Sequence, residues 1–404
     1  MERSRQTKSP MELNQSPHYD LIIIGGGING ASVARDAILR GLTVCLIEKN
    51  NFGLGTSSRS TKLAHGGIRY LEHFEFTLVY ESLRERQLLL QNAPNYVKPL
   101  TFIYPVYKSG HRSLFRIRCG MWLYSLLSRN STLPKHKMLT KEEIIEQCPS
   151  LSSHNLIGGM MYFDAQMKDY ELVLANIKDA TDNGLHTYEK TIVTDFIKEN
   201  NKCKGVIIES EQGTSKIYGS CILNATGPWC NHLSKIDEPT AKPLVAPTKG
   251  AHIIVDPLQL PHALTLEVPQ DNRVFFMIPW EGKTLIGTTD TPFDGNPDTI
   301  TVTDQDKDYL LKAANMYLDN IQLTKDDIID SFAGLRPLQY SEEKASKRSR
   351  DFSLFSSNSG LLHLFGGKYT SYRHMAETTV DYIISKHPNP KSFSACKTQS
   401  RKLD

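Results

Sequence analysis

An apolar, β-branched run over 19–24 (YDLIII) breaks off at Gly25-Gly26-Gly27 and predicts a strand followed by a tight turn. Helical spacing of apolar positions follows over 29–40 and stops at Gly41, and 43–47 is a second apolar strand closing on Glu48. Strand, turn, helix and strand in that order make a βαβ unit that begins about 18 residues into the chain. The pattern predicts a further helix over 74–92, with Leu78, Leu83, Leu88 and Leu89 on its apolar side. Asp169 is the expected N-cap of a helix running to Asp182 and closed by Asn183-Gly184. Strand patterns then dominate, over 191–198, 205–209, 216–224, 252–255, 273–279 and 284–287, the last two joined by a hairpin turn at 280–283. Helical spacing returns over 303–318 and 370–384. The order implies an α/β fold: a discontinuous Rossmann-like domain, interrupted by a β-rich section that forms a second domain and resumed near 216–226 and 365–370.

Within the first turn, Gly25-x-Gly27-x-x-Gly30 follows a strand and opens a helix, the context in which this spacing binds a dinucleotide. The first glycine permits the turn, the second lets backbone approach a pyrophosphate, and the third lets helix and strand pack closely. The helix N-terminus favours the phosphate charge. Glu48, at the end of the next strand, is placed to accept hydrogen bonds from ribose hydroxyls.

Three further features favour FAD over NAD. Thr56, Ser57, Ser58, Ser60, Thr61 and Lys62 supply donors for a second face of a buried pyrophosphate. A strand over 221–225 ends in Thr226-Gly227, where backbone can pass close to a ligand. Gly366-Gly367-Lys368 precedes a C-terminal helix whose N-terminal dipole suits the negative charge of a reduced isoalloxazine ring. The run 56–73 (TSSRSTKLAHGGIRYLEH) then divides: its first half suits a cofactor, while His65, Arg69 and Tyr70 suit a small anionic substrate.

Composition narrows the class further. A net charge of +3 over 404 residues gives no reason to expect nucleic acid as a partner. The 7 cysteines form no CxxC pair, which predicts reduced thiols, with neither a disulfide framework nor a zinc site, and no metal is expected. Residues 1–17 are polar and lack an apolar h-region, so a disordered tail is expected there, and Met11 is an alternative start. No run of 18 apolar residues occurs. The basic run 344–350 reads as a solvated loop, and 387–404 as an unstructured tail.

The glycine motif, TSSRSTKLAHGGIRYLEH, NATGPW (224–229), FFMIPW and LIGTTD (275–290), GLRPL (334–338) and FGGKYTSYR (365–373) together resemble FAD-dependent glycerol-3-phosphate dehydrogenase, in the glycine/D-amino-acid oxidase class of flavoproteins. The resemblance runs from about 19 to about 384. It implies oxidation of sn-glycerol 3-phosphate to dihydroxyacetone phosphate, with hydride passing from C2 to FAD N5. Arg69, Arg336 and Lys368 are then the phosphate-binding cations, with Tyr70 and Thr370 adding hydroxyl donors. His65 either takes the C2 hydroxyl proton or serves in flavin contact or substrate orientation, and Arg336 is its competitor for activating that hydroxyl.

The resemblance also implies a membrane quinone as electron acceptor and a cytoplasmic enzyme attached peripherally to the inner face of the membrane, with a homodimer in prospect. Residues 111–129, which mix four arginines with Phe115, Trp122 and leucines, read either as an interfacial helix or as an ordinary packed one. Related oxidases carry an insertion in the substrate domain that is not evident here, and similar enzymes continue into a further C-terminal helical domain. The expected division places cofactor-binding parts at about 18–75, 151–230 and 331–385, substrate-domain parts at about 76–150 and 231–330, and a tail at 386–404. Two other readings stay open: an FAD enzyme acting on an amine or hydroxy acid, and a truncated flavoprotein without turnover.

Overall fold

The structure is a computed structural model and describes residues 18–129, 131–268, 271, 273–341 and 351–404, without the side chains of Arg69 and His73. The expected tail at 1–17 and the basic run 344–350 lie outside the described residues. The chain forms two compact units. One takes the chain up to Ser58 together with Lys168–Pro247 and Arg336–Asp404, and the other takes Arg59–Met167 and Thr248–Leu335.

Among the described residues, the first unit is built on an eight-stranded mixed sheet whose core strands are parallel. His18–Ile24 is its centre, flanked by Val44–Ile47 on one side and Gly213–Asn224 on the other. Leu362–Gly366 extends the sheet beside Gly213–Asn224, and His186–Tyr188 extends it beyond Val44–Ile47. Leu21, Ile22, Ile23, Leu46 and Leu223 are fully buried, as strands covered on both faces require. These five core strands run the same way, so Gly25, Glu48, Thr226 and Gly366 gather at the carboxyl edge of one sheet. In open α/β sheets that edge is where ligands bind.

Helix Ile28–Arg40 packs between Asp169–Asp182 and Tyr372–Lys386 and is buried almost all round, including Arg35, Asp36 and Arg40. Arg40 is held by Asp36 at 2.7 Å and Asp381 at 2.5 Å, which satisfies a charge so placed. Asp169 is the first residue of its helix, not its cap; Lys168 takes the N-cap position. There the Asp169 carboxylate accepts the Tyr170 amide and places a negative charge favourably at the positive end of the helix dipole.

The expected unstructured tail over 387–404 is corrected. Apart from a 3-10 turn at Pro390–Ser392 it has no regular structure, yet Thr398 and Leu403 are buried. Arg401 grips Asp179 at 2.6 Å, and Arg35 donates to the Arg401 carbonyl at 3.1 Å. The segment is fastened by ion pairs, which leave no hydrophobic period in the sequence.

The second unit carries a mixed sheet. Val97–Tyr107 pairs antiparallel along its length with Leu156–Met167 and parallel with Ala263–Val268. Arg273–Trp280 and Lys283–Gly287 form the expected hairpin, and Thr248–Val255 continues the sheet. Residues 59–75 and 151–167 belong here and 231–247 to the first unit, a division different from the expected one. The cause is pairing: Leu63–Ala64 joins Leu156–Met167, with Ala64 opposite Ala165. Helix 74–92 begins at Phe76, because a 3-10 turn, Ile68–His73, takes up the residues before it.

Candidate active site

The glycine turn of the first unit is locked by contact. A Cβ on Gly30 would lie 1.8 Å from the Gly25 carbonyl oxygen, so only glycine fits the helix against the turn. Gly27 is the N-cap of helix Ile28–Arg40 and offers no side chain to the amides of the first turn. One of them, from Ile28, donates to Ser57 Oγ at 2.9 Å. Ser57 is therefore an acceptor for the helix end, with its own hydroxyl hydrogen left to donate. The remaining first-turn amides present an anion site with the helix dipole behind them. Glu48 Oε2 accepts the Gly26 amide at 2.7 Å and Oε1 accepts the Asn50 amide at 2.9 Å, which fixes the carboxylate beside the turn.

On the other side of the central strand, buried Asn224 organises Thr226-Gly227. Its Oδ1 accepts the Thr226 amide at 3.2 Å and the Thr226 hydroxyl at 2.7 Å, while its Nδ2 donates to the Cys230 carbonyl at 3.1 Å. Nδ2 also meets His363 Nδ1 at 3.0 Å. Burial pushes the His363 pKa down to about 4, so near neutral pH the imidazole is uncharged. Gly227 has φ +57°.

Gly366 ends the next strand, Leu362–Gly366, and Gly367 follows it. Gly367 has φ +79°, and a Cβ there would lie 2.4 Å from Met375 Sδ. Lys368, half-buried and extended, leads into the 3-10 turn Tyr369–Ser371 and then helix Tyr372–Lys386. The helix thus starts two residues later than Thr370, which is buried in the turn. The Tyr369 hydroxyl donates to the Asp169 carbonyl, tying this turn to the start of helix Asp169–Asp182. Arg336, half-buried, ends strand Ile328–Arg336.

The run 56–73 crosses between units. Thr56–Ser58 is a 3-10 turn of the first unit, and the second begins at Arg59. In the second unit Ser60 Oγ accepts the Lys62 amide at 3.0 Å, and Lys62 has φ +60°. The Lys62 ammonium sits 5.3 Å from the Phe332 ring centroid and 5.7 Å from that of Trp280. Cation–π attraction accounts for that position. His65, half-buried, follows strand Leu63–Ala64, and Gly67 with φ +75° turns the chain into Ile68–His73. That turn buries Tyr70; the Arg69 side chain lies outside the described residues.

Sequence reasoning missed His252. It is buried in strand Thr248–Val255, its Nε2 lies 2.9 Å from the Thr61 hydroxyl, and its ring stacks on Phe332 at 4.8 Å. The available signal was a histidine inside an apolar strand pattern, AHIIV.

The profile of the family described as FAD dependent oxidoreductase matches residues 20–373. The chain is 39% identical over 398 residues to a glycerol-3-phosphate dehydrogenase of Synechocystis, covering 92% of this chain and 71% of that protein. It is 38% identical over 389 residues to the aerobic glycerol-3-phosphate dehydrogenase of Bacillus subtilis, covering 95% and 70%. The crystal structure of the glycerol-3-phosphate dehydrogenase from Bacillus halodurans complexed with FAD superposes with a TM-score of 0.79 at 34% identity, over 97% of this chain and 68% of that one.

Proposed function

The chain belongs to the FAD-dependent oxidoreductase family, within its glycerol-3-phosphate dehydrogenases, and we propose that it oxidises sn-glycerol 3-phosphate to dihydroxyacetone phosphate. The observation that carries this reading is the gathering of Gly25, Glu48, Thr226 and Gly366 at the carboxyl edge of one sheet, in a chain whose relatives bear that name.

The residues present fit FAD. The first-turn amides of helix Ile28–Arg40 suit its pyrophosphate, and the fixed Glu48 carboxylate suits a ribose. Gly25, Gly27 and Gly30 let backbone come close, with Thr56, Ser57, Ser58, Ser60 and Lys62 as further donors. Thr226-Gly227 and Gly366-Gly367-Lys368 are the expected flavin-side backbone. Bound FAD supplies a two-electron acceptor at N5 for the hydride that leaves C2.

This chain's own groups bind and deprotonate the substrate. Arg69, Arg336 and Lys368 hold the phosphate dianion, and Tyr70 and Thr370 donate hydrogen bonds. His65 takes the C2 hydroxyl proton, with Arg336 lowering the cost of the alkoxide. A phosphate dianion accounts for three cations better than the single carboxylate of an amine or hydroxy acid substrate does.

Electrons pass on to a quinone. Helix Leu114–Leu127 supports a peripheral site on the inner membrane face: Phe115 is 76% and Trp122 65% exposed, with Arg116 and Arg118 exposed beside them. Its opposite side buries Ile117, Met121 and Tyr124, so the same helix is also packed. Among the described residues no helix is long and apolar enough to cross a membrane.

Steady-state turnover with a soluble quinone tests the acceptor. The expected result is reduced quinone and dihydroxyacetone phosphate in equal amounts. Hydrogen peroxide formed stoichiometrically with substrate loss, quinone being ignored, would overturn it.

A further inference from the structure

Behind His65 lies a buried polar cluster that the reaction does not touch. Arg86 of helix Phe76–Asn92 is 1% exposed, and its guanidinium meets the Asp164 carboxylate at 2.5 Å and donates to the Phe163 carbonyl at 3.2 Å. Tyr124 of helix Leu114–Leu127, also buried, donates across both Asp164 oxygens at 3.0 Å. Burial holds the Tyr124 hydroxyl well above its ordinary pKa, so it stays a donor.

Asp164 also takes a backbone amide. Asp164 Oδ1 accepts the amide of Gly66 at 3.2 Å, the residue directly after His65. Immediately before His65, Ala64 is paired in register with Ala165, the neighbour of Asp164. His65 is therefore pinned on both sides by one strand, Leu156–Met167. A Cβ on Gly66 would lie 2.3 Å from the Tyr124 hydroxyl, so only glycine lets this backbone sit directly against the cluster.

Packing alone does not account for such a cluster, since apolar side chains of similar volume fill a core without desolvating charges. Four segments meet at one carboxylate, and the backbone amide it takes is adjacent to the proposed base.

We propose that Arg86, Asp164 and Tyr124 are positioning residues that aim the His65 imidazole at the substrate's C2 hydroxyl. This rests on the reading of His65 as the base. The cluster acts through geometry: misplacing a reacting group by about 1 Å costs on the order of 100-fold in rate.

The test is a double-mutant cycle on the FAD-loaded protein, read as the rate of flavin reduction by glycerol 3-phosphate in the absence of oxygen. Asp164→Asn, and the milder Tyr124→Phe in case the first fails to fold, should slow reduction by about 10- to 100-fold with flavin content and substrate Kd unchanged. In a His65→Asn background the same changes should have little further effect. Equal slowing in both backgrounds would overturn the positioning proposal. A His65→Asn protein with wild-type reduction kinetics would instead remove the base assignment, a separate and distinguishable failure.

Discussion

The Glu48 carboxylate accepts the backbone amide of Gly26 at 2.7 Å, across 22 residues of sequence. Strand Val44–Ile47 delivers the acid to the carboxyl edge of the sheet, and strand His18–Ile24 delivers the glycine beside it. The bond makes turn and acid one rigid unit before any ligand arrives, so neither must be ordered when a dinucleotide binds.

Glu48→Ala leaves the Gly26 amide without this acceptor. The loss of a charge-assisted bond is expected to cost about 1.5–3 kcal/mol in urea denaturation of the FAD-free protein. The same change should weaken FAD binding, read as flavin retained after gel filtration. Unchanged stability and full flavin content would show that Glu48 serves neither role.

Gly30→Ala is expected to abolish FAD binding, because its methyl would lie 1.8 Å from the Gly25 carbonyl and must push the helix off the turn. Flavin fluorescence of the purified protein is the check. Gly41→Ala is the control: it has open space but φ +103°, so it should cost stability while leaving flavin bound.

His363 is neutral when folded, with its pKa pushed to about 4 by burial, and returns to about 6.5 when unfolded. The unfolded chain therefore binds more protons between those values, and stability falls as pH drops from about 6.5 toward about 4. A contribution on the order of 3 kcal/mol is expected to disappear over that window. His363→Gln should flatten this part of the pH–stability curve relative to the unaltered protein. Parallel curves for the two proteins would contradict the assignment.

Phe115→Ser with Trp122→Ser removes the most exposed apolar side chains of helix Leu114–Leu127. Stability should change by only about 0.5 kcal/mol, because both side chains are already in solvent. Binding to anionic lipid vesicles should fall at least several-fold, with anaerobic flavin reduction unaltered. Undiminished vesicle binding would place the membrane contact elsewhere.

The βαβ unit was legible because its signals are local: an apolar run, a glycine turn and an acid, all within 19–48. What was not legible depends on residues far apart. Strand Val97–Tyr107 is masked by Pro99 and Pro105, which argue against a strand inside a sheet. The pairing of Leu63–Ala64 with Leu156–Met167 drew 59–75 into the second unit, and no local pattern announces a two-residue strand. The segment after His387 looked like a tail because Arg401 finds Asp179 only in the folded chain. NATGPW pointed to Thr226-Gly227, yet the Asn224–His363 contact that fixes it spans 139 residues.

Oxidation of sn-glycerol 3-phosphate by the bound flavin is read most directly by anaerobic mixing of the FAD-loaded protein with that substrate, followed at the visible absorbance of the flavin. Complete bleaching with stoichiometric dihydroxyacetone phosphate is expected, and bleaching slowed by orders of magnitude in His65→Asn with flavin still bound. Flavin that stays oxidised with glycerol 3-phosphate, whether or not an amine or hydroxy acid reduces it, would rule out this reaction for the protein.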